Sequence, residues 1–151
     1  MTPRRLPDTR WMIRERPWVP RRNAVWESIF TVANGYVGVR GYPEEDFDAG
    51  PTTPMILVAG LFEPGDDDVP ELVALPDFLA VDIELGGEPL RLAAGRVSEY
   101  ERLLDLRRGL LRRTFIYEQA GRRSRLELER LASLANPHLV AQSITVTPLN
   151  W

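Results

Sequence analysis

The feature that most constrains the fold of this chain is the dipeptide Asn34-Gly35, inside the stretch of residues 27–41 (ESIFTVANGYVGVRG). A type I′ hairpin turn needs positive φ at both central residues, and Asn followed by Gly meets that need best. The dipeptide therefore predicts a two-residue turn. In the register that such a turn fixes, Ala33 lies opposite Tyr36 and Val32 lies opposite Val37.

The predicted hairpin has two chemically different faces. Because side chains alternate along a strand, one face carries Phe30, Val32, Val37 and Val39, all branched or aromatic. We expect this face to be buried in the core. The opposite face carries Thr31, Tyr36, Gly38 and Arg40.

The rest of the chain also predicts short strands separated by turns. Residues 11–19 fit an edge strand, residues 55–62 a buried strand, and residues 78–92 a second hairpin that turns at Gly86-Gly87. Residues 96–106 fit either a short helix or a strand. Three further strands are predicted over residues 110–118, 123–134 and 139–147. In the second of these a helix competes, but Leu126, Leu128 and Arg130 alternate with Glu127 and Glu129, as in a strand.

Composition narrows the class of protein. The chain has 151 residues, a size typical of one domain, and a formal net charge of −3, which favours neither nucleic acid nor a membrane surface as a partner. It has no Cys, so disulfides, thiolate chemistry and zinc–thiolate sites are not expected, and we expect no metal site. Residues 1–10 are polar, lack the apolar segment of a secretory signal and are expected to form a flexible tail. A cytoplasmic protein is therefore predicted.

Three motifs resemble a known family. They are residues 27–41 followed by Glu44-Glu45, residues 100–112 (YERLLDLRRGLLR), and residues 130–150 with Asn136-Pro137-His138. In this order they resemble the N-terminal domain of glycoside hydrolase family 65, which includes maltose, trehalose and kojibiose phosphorylases and acid trehalases. The resemblance covers residues 11–150.

The resemblance implies an all-β fold, an antiparallel β-sandwich that is part of a galactose-mutarotase-like super-sandwich. Residues 11–151 would be an incomplete N-terminal domain, and the catalytic (α/α)6 barrel of the family is absent from this chain. The implied function is non-catalytic: support of the barrel, and dimerisation, in an inverting phosphorylase or hydrolase of α-linked disaccharides. No cofactor is implied, and inorganic phosphate would be a co-substrate only of a full-length phosphorylase. Incomplete sheets leave exposed edges, so a homodimer is predicted.

Two other functions stay open from the sequence. The chain could act alone as a carbohydrate-binding β-module, or it could be a truncated protein with a structural or interaction role. Titration with sugars and the sequence downstream of Trp151 would separate these possibilities.

The residues proposed to contact a substrate or another domain are Asn34, Tyr36, Arg40 and Glu45. Tyr36 and Arg40 lie on the predicted non-core face, where an aromatic ring can stack on a sugar and an arginine can donate paired hydrogen bonds. The competing interpretation, which we favour, is that this face packs against another domain.

Other candidate motifs fit ordinary structural roles better. Gly35, Gly38 and Gly41 lack the following helix that a phosphate-binding loop needs. Residues 66–68 lack the ligand spacing of a calcium loop, and His138, the only His, is expected in a turn or at a strand start. The carboxylates of Glu44 and Glu45 would point to opposite faces of a strand, and so would be badly placed to act together as acid and base.

Overall fold

The computed structural model describes residues 9–45, 54–65 and 69–151, and within these ranges most of the regular structure is β. One α helix, α1 (Asn23–Ile29), and two short 3-10 helices (Thr9–Trp11 and Pro20–Arg22) occur in the described part of the chain. The strands are β1 (Met12–Glu15), β2 (Val32–Ala33), β3 (Val37–Val39), β4 (Ile56–Pro64), β5 (Pro70–Ala74), β6 (Glu84–Leu85), β7 (Glu88–Pro89), β8 (Arg96–Asp105), β9 (Leu110–Gln119), β10 (Arg122–Ala132) and β11 (Val140–Pro148).

The strands form two main antiparallel sheets and one separate hairpin. The five-stranded sheet has the order β1-β8-β9-β10-β11, the four-stranded sheet has the order β2-β3-β4-β5, and β6 pairs with β7. The predicted antiparallel β-sandwich is confirmed. None of the described helices has the length and apolar character needed to cross a bilayer.

Two apolar clusters lie against the inner face of the five-stranded sheet. The first is shared with the four-stranded sheet: Phe30, Val32, Val37, Val39, Tyr42, Ile56, Leu79, Leu104, Leu111 and Ala132. The second is covered by the segment that contains β6 and β7: Leu90, Leu92, Tyr100, Phe115, Tyr117, Leu126 and Leu128. The predicted core face of the first hairpin is confirmed, since Phe30 and Val39 are fully buried.

The first hairpin differs from the prediction in its turn. Val32 pairs with Val39 and Ala33 with Gly38, so the central turn residues are Gly35 and Tyr36 rather than Asn34 and Gly35. The Asn34 carboxamide oxygen accepts hydrogen bonds from the backbone N–H groups of Tyr36 (3.0 Å) and Val37 (2.9 Å), which holds Asn34 at the corner before the turn. Gly35 has φ +89°, as a type II′ turn requires at its first central position.

The new register keeps the predicted faces because each partner moves by two residues, one full side-chain period. The predicted first strand, however, is wrong over residues 27–29. These residues end helix α1, and Phe30 follows as its C-cap.

Some of the other strand predictions are confirmed and others are wrong. Residues 96–105 form a strand and not a helix, and the three strands over residues 110–147 are confirmed. Residues 11–19 supply β1 at an edge of the five-stranded sheet, and Gly86-Gly87 turns the second hairpin, which is only two residues long on each side. The strand predicted over residues 55–62 is present as β4, but its predicted burial is wrong, because every residue of β4 beyond Ile56 is exposed or half-buried. Residues 66–68 and all but two residues of the predicted 1–10 tail lie outside the described residues; Thr9 and Arg10 begin a 3-10 helix.

Candidate functional site

The four residues predicted from the sequence lie in different places. Asn34 and Tyr36 form part of a surface turn, Arg40 is half-buried beside helix α1, and Glu45 is fully buried. The structure therefore does not bring them together into one pocket.

The turn at Asn34 is tied to the loop that precedes β11. The Asn34 carboxamide nitrogen donates to the backbone oxygens of Ser133 (2.7 Å) and Pro137 (3.1 Å). The ring of Tyr36 meets the ring of His138 edge-on, with 4.5 Å between centroids. Two of the motifs that the sequence singled out thus form one rigid surface feature, with Tyr36 still 38% exposed.

Arg40 serves the fold. Its Nη2 donates to the backbone oxygen of Ala24 (2.9 Å), and its Nε lies 3.4 Å from Oε2 of the buried Glu27. Glu27 in turn accepts a hydrogen bond from Nδ2 of Asn23 (2.6 Å). Arg40 therefore links strand β3 to helix α1.

Three buried arginines form a row across the inner face of the five-stranded sheet: Arg102 on β8, Arg113 on β9 and Arg130 on β10. We call them the arginine row. Each has apolar neighbours two residues away on the same face, such as Tyr100 and Leu104 beside Arg102. The row lies where the two apolar clusters meet.

Four buried glutamates face these cations. Arg113 Nη2 donates to Glu44 Oε2 (2.9 Å) and makes a shorter contact with Glu45. Arg130 Nη2 lies 2.6 Å from Glu44 Oε1, and Arg102 Nε lies 3.0 Å from Glu15 Oε2. The fourth carboxylate, Glu27, is held by Arg40. Together with Arg40, the arginine row supplies four positive groups, which balance the four negative glutamates.

The Glu44 and Glu45 side chains converge on Arg113, so the expectation that they point to opposite faces is wrong. Both residues lie in a turn and not in a strand, and the alternation of a strand does not apply.

The arginine row also explains how the loop 41–45 can be buried. Arg102 Nη1 donates to the backbone oxygen of Gly41 (2.8 Å), and Arg130 donates to the backbone oxygens of Arg40 (2.8 Å) and Tyr42 (3.1 Å). Buried carbonyl groups without partners would be costly, and the forked guanidinium groups supply several donors each.

Burial and charge act against each other on these carboxyls. Burial alone would raise the pKa of Glu44, but the guanidinium groups of Arg130 and Arg113 outweigh it and hold that pKa below its ordinary value of 4.5. For Glu45, burial dominates and raises the pKa, with the Glu44 charge adding to the effect. Burial likewise raises the pKa of Glu15 and of Glu27.

This buried group is built for structure. Its carboxylates are sealed from solvent and held by arginines, so they cannot reach a glycosidic bond. Among the described residues, no group of three or more His, Asp or Glu side chains is arranged to hold a metal ion.

The opposite pKa shifts predict opposite pH effects. Glu44, with a lowered pKa, contributes stability that is complete above 4.5 and is lost as the pH falls through its folded value. Glu45, with a raised pKa, contributes stability that is present below 4.5 and is lost as the pH rises through its folded value. Across these windows, Glu44→Gln should flatten the rise of unfolding free energy with pH, and Glu45→Gln should steepen it.

Urea unfolding between pH 3 and pH 7 would measure both slopes. Glu127→Gln is the control for removing a carboxylate from an ion pair on the surface, because Glu127 pairs with Arg112 there. Slopes that change in the same direction for both buried positions would contradict the assigned shifts.

The outer face of the four-stranded sheet is apolar. A hollow of about 220 Å³ lies on this face, and the described residues that line it are all uncharged. They are Ala33, Gly35, Tyr36, Val37, Gly38, Leu57, Val58, Ala59 and Leu72. A second hollow of about 170 Å³ continues it past Gly38 and Leu57 towards Arg40. We call this surface the apolar face.

The outer face of the five-stranded sheet is different in character. It carries surface ion pairs between neighbouring strands, such as Arg112–Glu127 (3.1 Å) and Arg123–Glu118 (3.7 Å). Charged faces of this kind are typical of solvent contact, whereas a contiguous apolar surface is typical of a protein contact.

The sequence had pointed to Tyr36 and Arg40 but not to the arginine row. A signal was present, because Arg102 and Arg113 stand at positions whose neighbours two residues away are Tyr, Leu or Phe. Period-two patterning assigns such arginines to the core face. Their glutamate partners have no local signal, because those of Arg113 lie 69 and 68 residues away along the chain.

Comparison with known proteins identifies the family. The family described as "Glycosyl hydrolase family 65, N-terminal domain" matches residues 13–151. The chain is 33% identical to a kojibiose phosphorylase of Caldanaerobacter subterraneus subsp. tengcongensis over 95% of this chain and 18% of that enzyme. It is 31% identical to an alpha,alpha-trehalose phosphorylase of Thermoanaerobacter brockii over 93% of this chain and 20% of that enzyme.

A solved structure agrees with these matches. A putative kojibiose phosphorylase from human microbiome superimposes with a TM-score of 0.83 at 25% identity, over 91% of this chain and 20% of that one. This chain thus spans about a fifth of the length of the relatives that it matches. It belongs to the N-terminal domain family of glycosyl hydrolase family 65.

Proposed function

We propose that this chain is the non-catalytic N-terminal part of a disaccharide phosphorylase, where it supports the catalytic domain. The observation that carries the proposal is the family match over residues 13–151 together with coverage of only 18% of a relative named as a phosphorylase. The parent reaction would cleave an α-linked disaccharide with inorganic phosphate as co-substrate. The alternative within this proposal is that the parent enzyme is a hydrolase. The proposal also includes a homodimer and a cytoplasmic location.

We further propose that the apolar face is the surface that meets the catalytic domain. Small residues at its centre, Ala33, Gly38 and Ala59, allow another surface to approach the strands closely. Tyr36, fixed by His138, and Leu72, 47% exposed, supply larger apolar contacts at the same hollow. Asn34 has a positioning role here, because it holds the turn that presents Tyr36.

In this proposal Arg40 and Glu45 act behind the surface. Arg40 borders the second hollow while it anchors helix α1, and Glu45 fixes the loop 41–45 through Arg113. Neither residue needs to touch a sugar.

A chimeric enzyme tests the proposal. In the kojibiose phosphorylase of T. brockii, which is 32% identical over 97% of this chain, the aligned segment is replaced by this chain. We expect the chimera to phosphorolyse kojibiose, and this chain alone to release no glucose phosphate. An inactive chimera, or an active isolated chain, would contradict the proposed function.

Two surface substitutions test the apolar face within that chimera. Ala59→Arg places a charge in the hollow and should lower phosphorolysis at least tenfold, since a buried unpaired charge disfavours docking. Thr145→Arg, on the exposed outer face of β11, is the control and should leave the rate unchanged. Equal effects of the two substitutions would reject the apolar face and leave the supporting role intact.

A further inference from the structure

Strand β8 contains a bulge at an unusual residue. The pairing of β8 with β9 shifts between Ser98 and Glu101, and Glu99 within this shift has φ +51°. The left-handed region is disfavoured for residues with a side chain, and glycine is the usual choice there. Bulges and residues held in sparsely populated backbone conformations concentrate at functional sites.

A polar basin surrounds the bulge. It has a volume of about 410 Å³ and is lined by Arg16, Glu99, Tyr100, Glu101, Thr114 and Arg125. A neighbouring hollow of about 110 Å³ shares Glu99, Thr114 and Arg125 with it. The basin falls within the range of about 300–1,000 Å³ that is typical of small-molecule sites.

The charges of the basin indicate the class of ligand. Arg16 Nη2 lies 2.6 Å and Arg14 Nε lies 2.8 Å from Glu101 Oε1, and Arg125 Nη2 lies 3.4 Å from Glu99 Oε2. Each carboxylate of the basin therefore already has a guanidinium partner, and groups of both signs stand side by side. A bound anion would be repelled by the two carboxylates, and a bound cation would be repelled by the guanidinium groups. A neutral ligand rich in hydroxyl groups can instead donate to the carboxylates and accept from the arginines.

The exposure of the two key charges supports a binding role. Glu99 and Arg125 side chains are 64% and 56% exposed, and an exposed ion pair contributes little to stability. The stability gained from this ion pair therefore does not explain why position 99, which has a left-handed backbone, carries a glutamate and not a glycine.

We propose that this basin is a binding site for a neutral sugar, an α-linked glucose disaccharide or a longer oligomer, with Glu99, Arg125 and Thr114 as its polar contacts. The choice of sugar rests on the proposed function, whereas the preference for a neutral polyol rests on the basin itself.

Titration of the 151-residue chain with maltose, trehalose and kojibiose, followed by calorimetry and by amide chemical shifts, tests the site. We expect saturable binding of at least one sugar, with shifts at residues 98–101 and 114. Glu99→Gly removes the carboxylate and relieves the disfavoured backbone together. It should weaken binding at least tenfold while the melting temperature stays the same or rises.

Ala120→Gly is the matched control. Ala120 has φ +49° in the exposed turn between β9 and β10, away from the basin, so the substitution gives the same backbone relief and should leave sugar affinity unchanged. Thr114→Val provides a second variant that removes only a hydroxyl group, and it should also weaken binding.

Several results would overturn the proposal: no saturable binding of any of the three sugars, wild-type affinity in Glu99→Gly, equal losses in Glu99→Gly and Ala120→Gly, or tighter binding of inorganic phosphate than of the sugars. None of these results would touch the proposed supporting role, because that role is measured by the activity of the chimera.

Discussion

Arg113→Met is expected to lower the free energy of unfolding by about 3–5 kcal/mol, the cost of removing one partner from a buried ion pair. Arg113 is 3% exposed and binds both Glu44 and Glu45, which are themselves buried. Methionine fills similar space without a charge, so the loss reports mainly the two carboxylates left with fewer partners. A small domain has only about 5–15 kcal/mol of total stability, so the variant should unfold at a much lower urea concentration.

The adjacent residue supplies the control. Arg112 has the same side chain, but it points to the outer face, is 46% exposed and pairs with the exposed Glu127. Arg112→Met should change the free energy of unfolding by less than about 1 kcal/mol. Equal losses at the two positions, measured by urea unfolding at pH 7, would contradict the buried role of Arg113.

A second substitution can show that charge is the cause. In the Arg113→Met background, Glu45→Gln should recover part of the lost stability, because it removes a buried charge that no longer has its arginine. In the wild-type background the same Glu45→Gln should not stabilise the protein to that extent. If the double-mutant cycle showed no coupling energy between Arg113 and Glu45, Arg113 would act through packing alone.

Local sequence patterns predicted the sheets well because strand faces depend on alternation. Leu126, Leu128 and Arg130 fall on one face of β10, as their spacing indicated, and all three are buried. The Asn34-Gly35 dipeptide predicted the hairpin correctly but placed its turn one residue early. The reason is chemical: the Asn34 side chain caps the turn from outside, and so the positive φ falls on Gly35 alone.

Helix α1 was missed because its stability comes from tertiary contacts. Its sequence, NAVWESI, contains a β-branched valine and isoleucine and a tryptophan, which are mediocre helix formers. The helix is held by distant groups instead. Arg102 donates to Asn23 (2.7 Å), and Arg40 donates to the backbone of Ala24. A single sequence gives no sign of such contacts.

The same limit applies to the candidate sites. The Glu99 basin depends on a bulge, and no local pattern in residues 96–101 marks a left-handed glutamate. Glu27, Glu44 and Glu45 belong to the stretch that resembles the family, whereas Glu15 lies outside the three motifs. Their role became evident only from the strands that carry the arginine row.

Gly41→Ala is expected to cost about 3 kcal/mol, because a methyl group at this position has no room. A Cβ added to Gly41 would lie 2.7 Å from both the Cβ and the backbone oxygen of Phe30, and backbone atoms cannot move aside as a flexible side chain can. Gly41 also donates to the backbone oxygen of Glu27 (2.9 Å) and accepts from Arg102. Any shift of the loop would therefore weaken its contact with helix α1 and with the arginine row.

Gly38→Ala separates this steric cause from the general effect of replacing a glycine. Gly38 lies three residues earlier in β3, and its added Cβ would meet only the Cβ of Ala33 at 3.8 Å, an ordinary contact. We expect that variant to stay within about 0.5 kcal/mol of the wild type, since surface substitutions without a special feature rarely do more. Urea unfolding of both variants, with far-ultraviolet circular dichroism as the probe, measures the difference. If Gly41→Ala proved as stable as Gly38→Ala, the close approach of residues 41–45 to the end of helix α1 would be wrong, and the burial of Glu44 and Glu45 would need another cause.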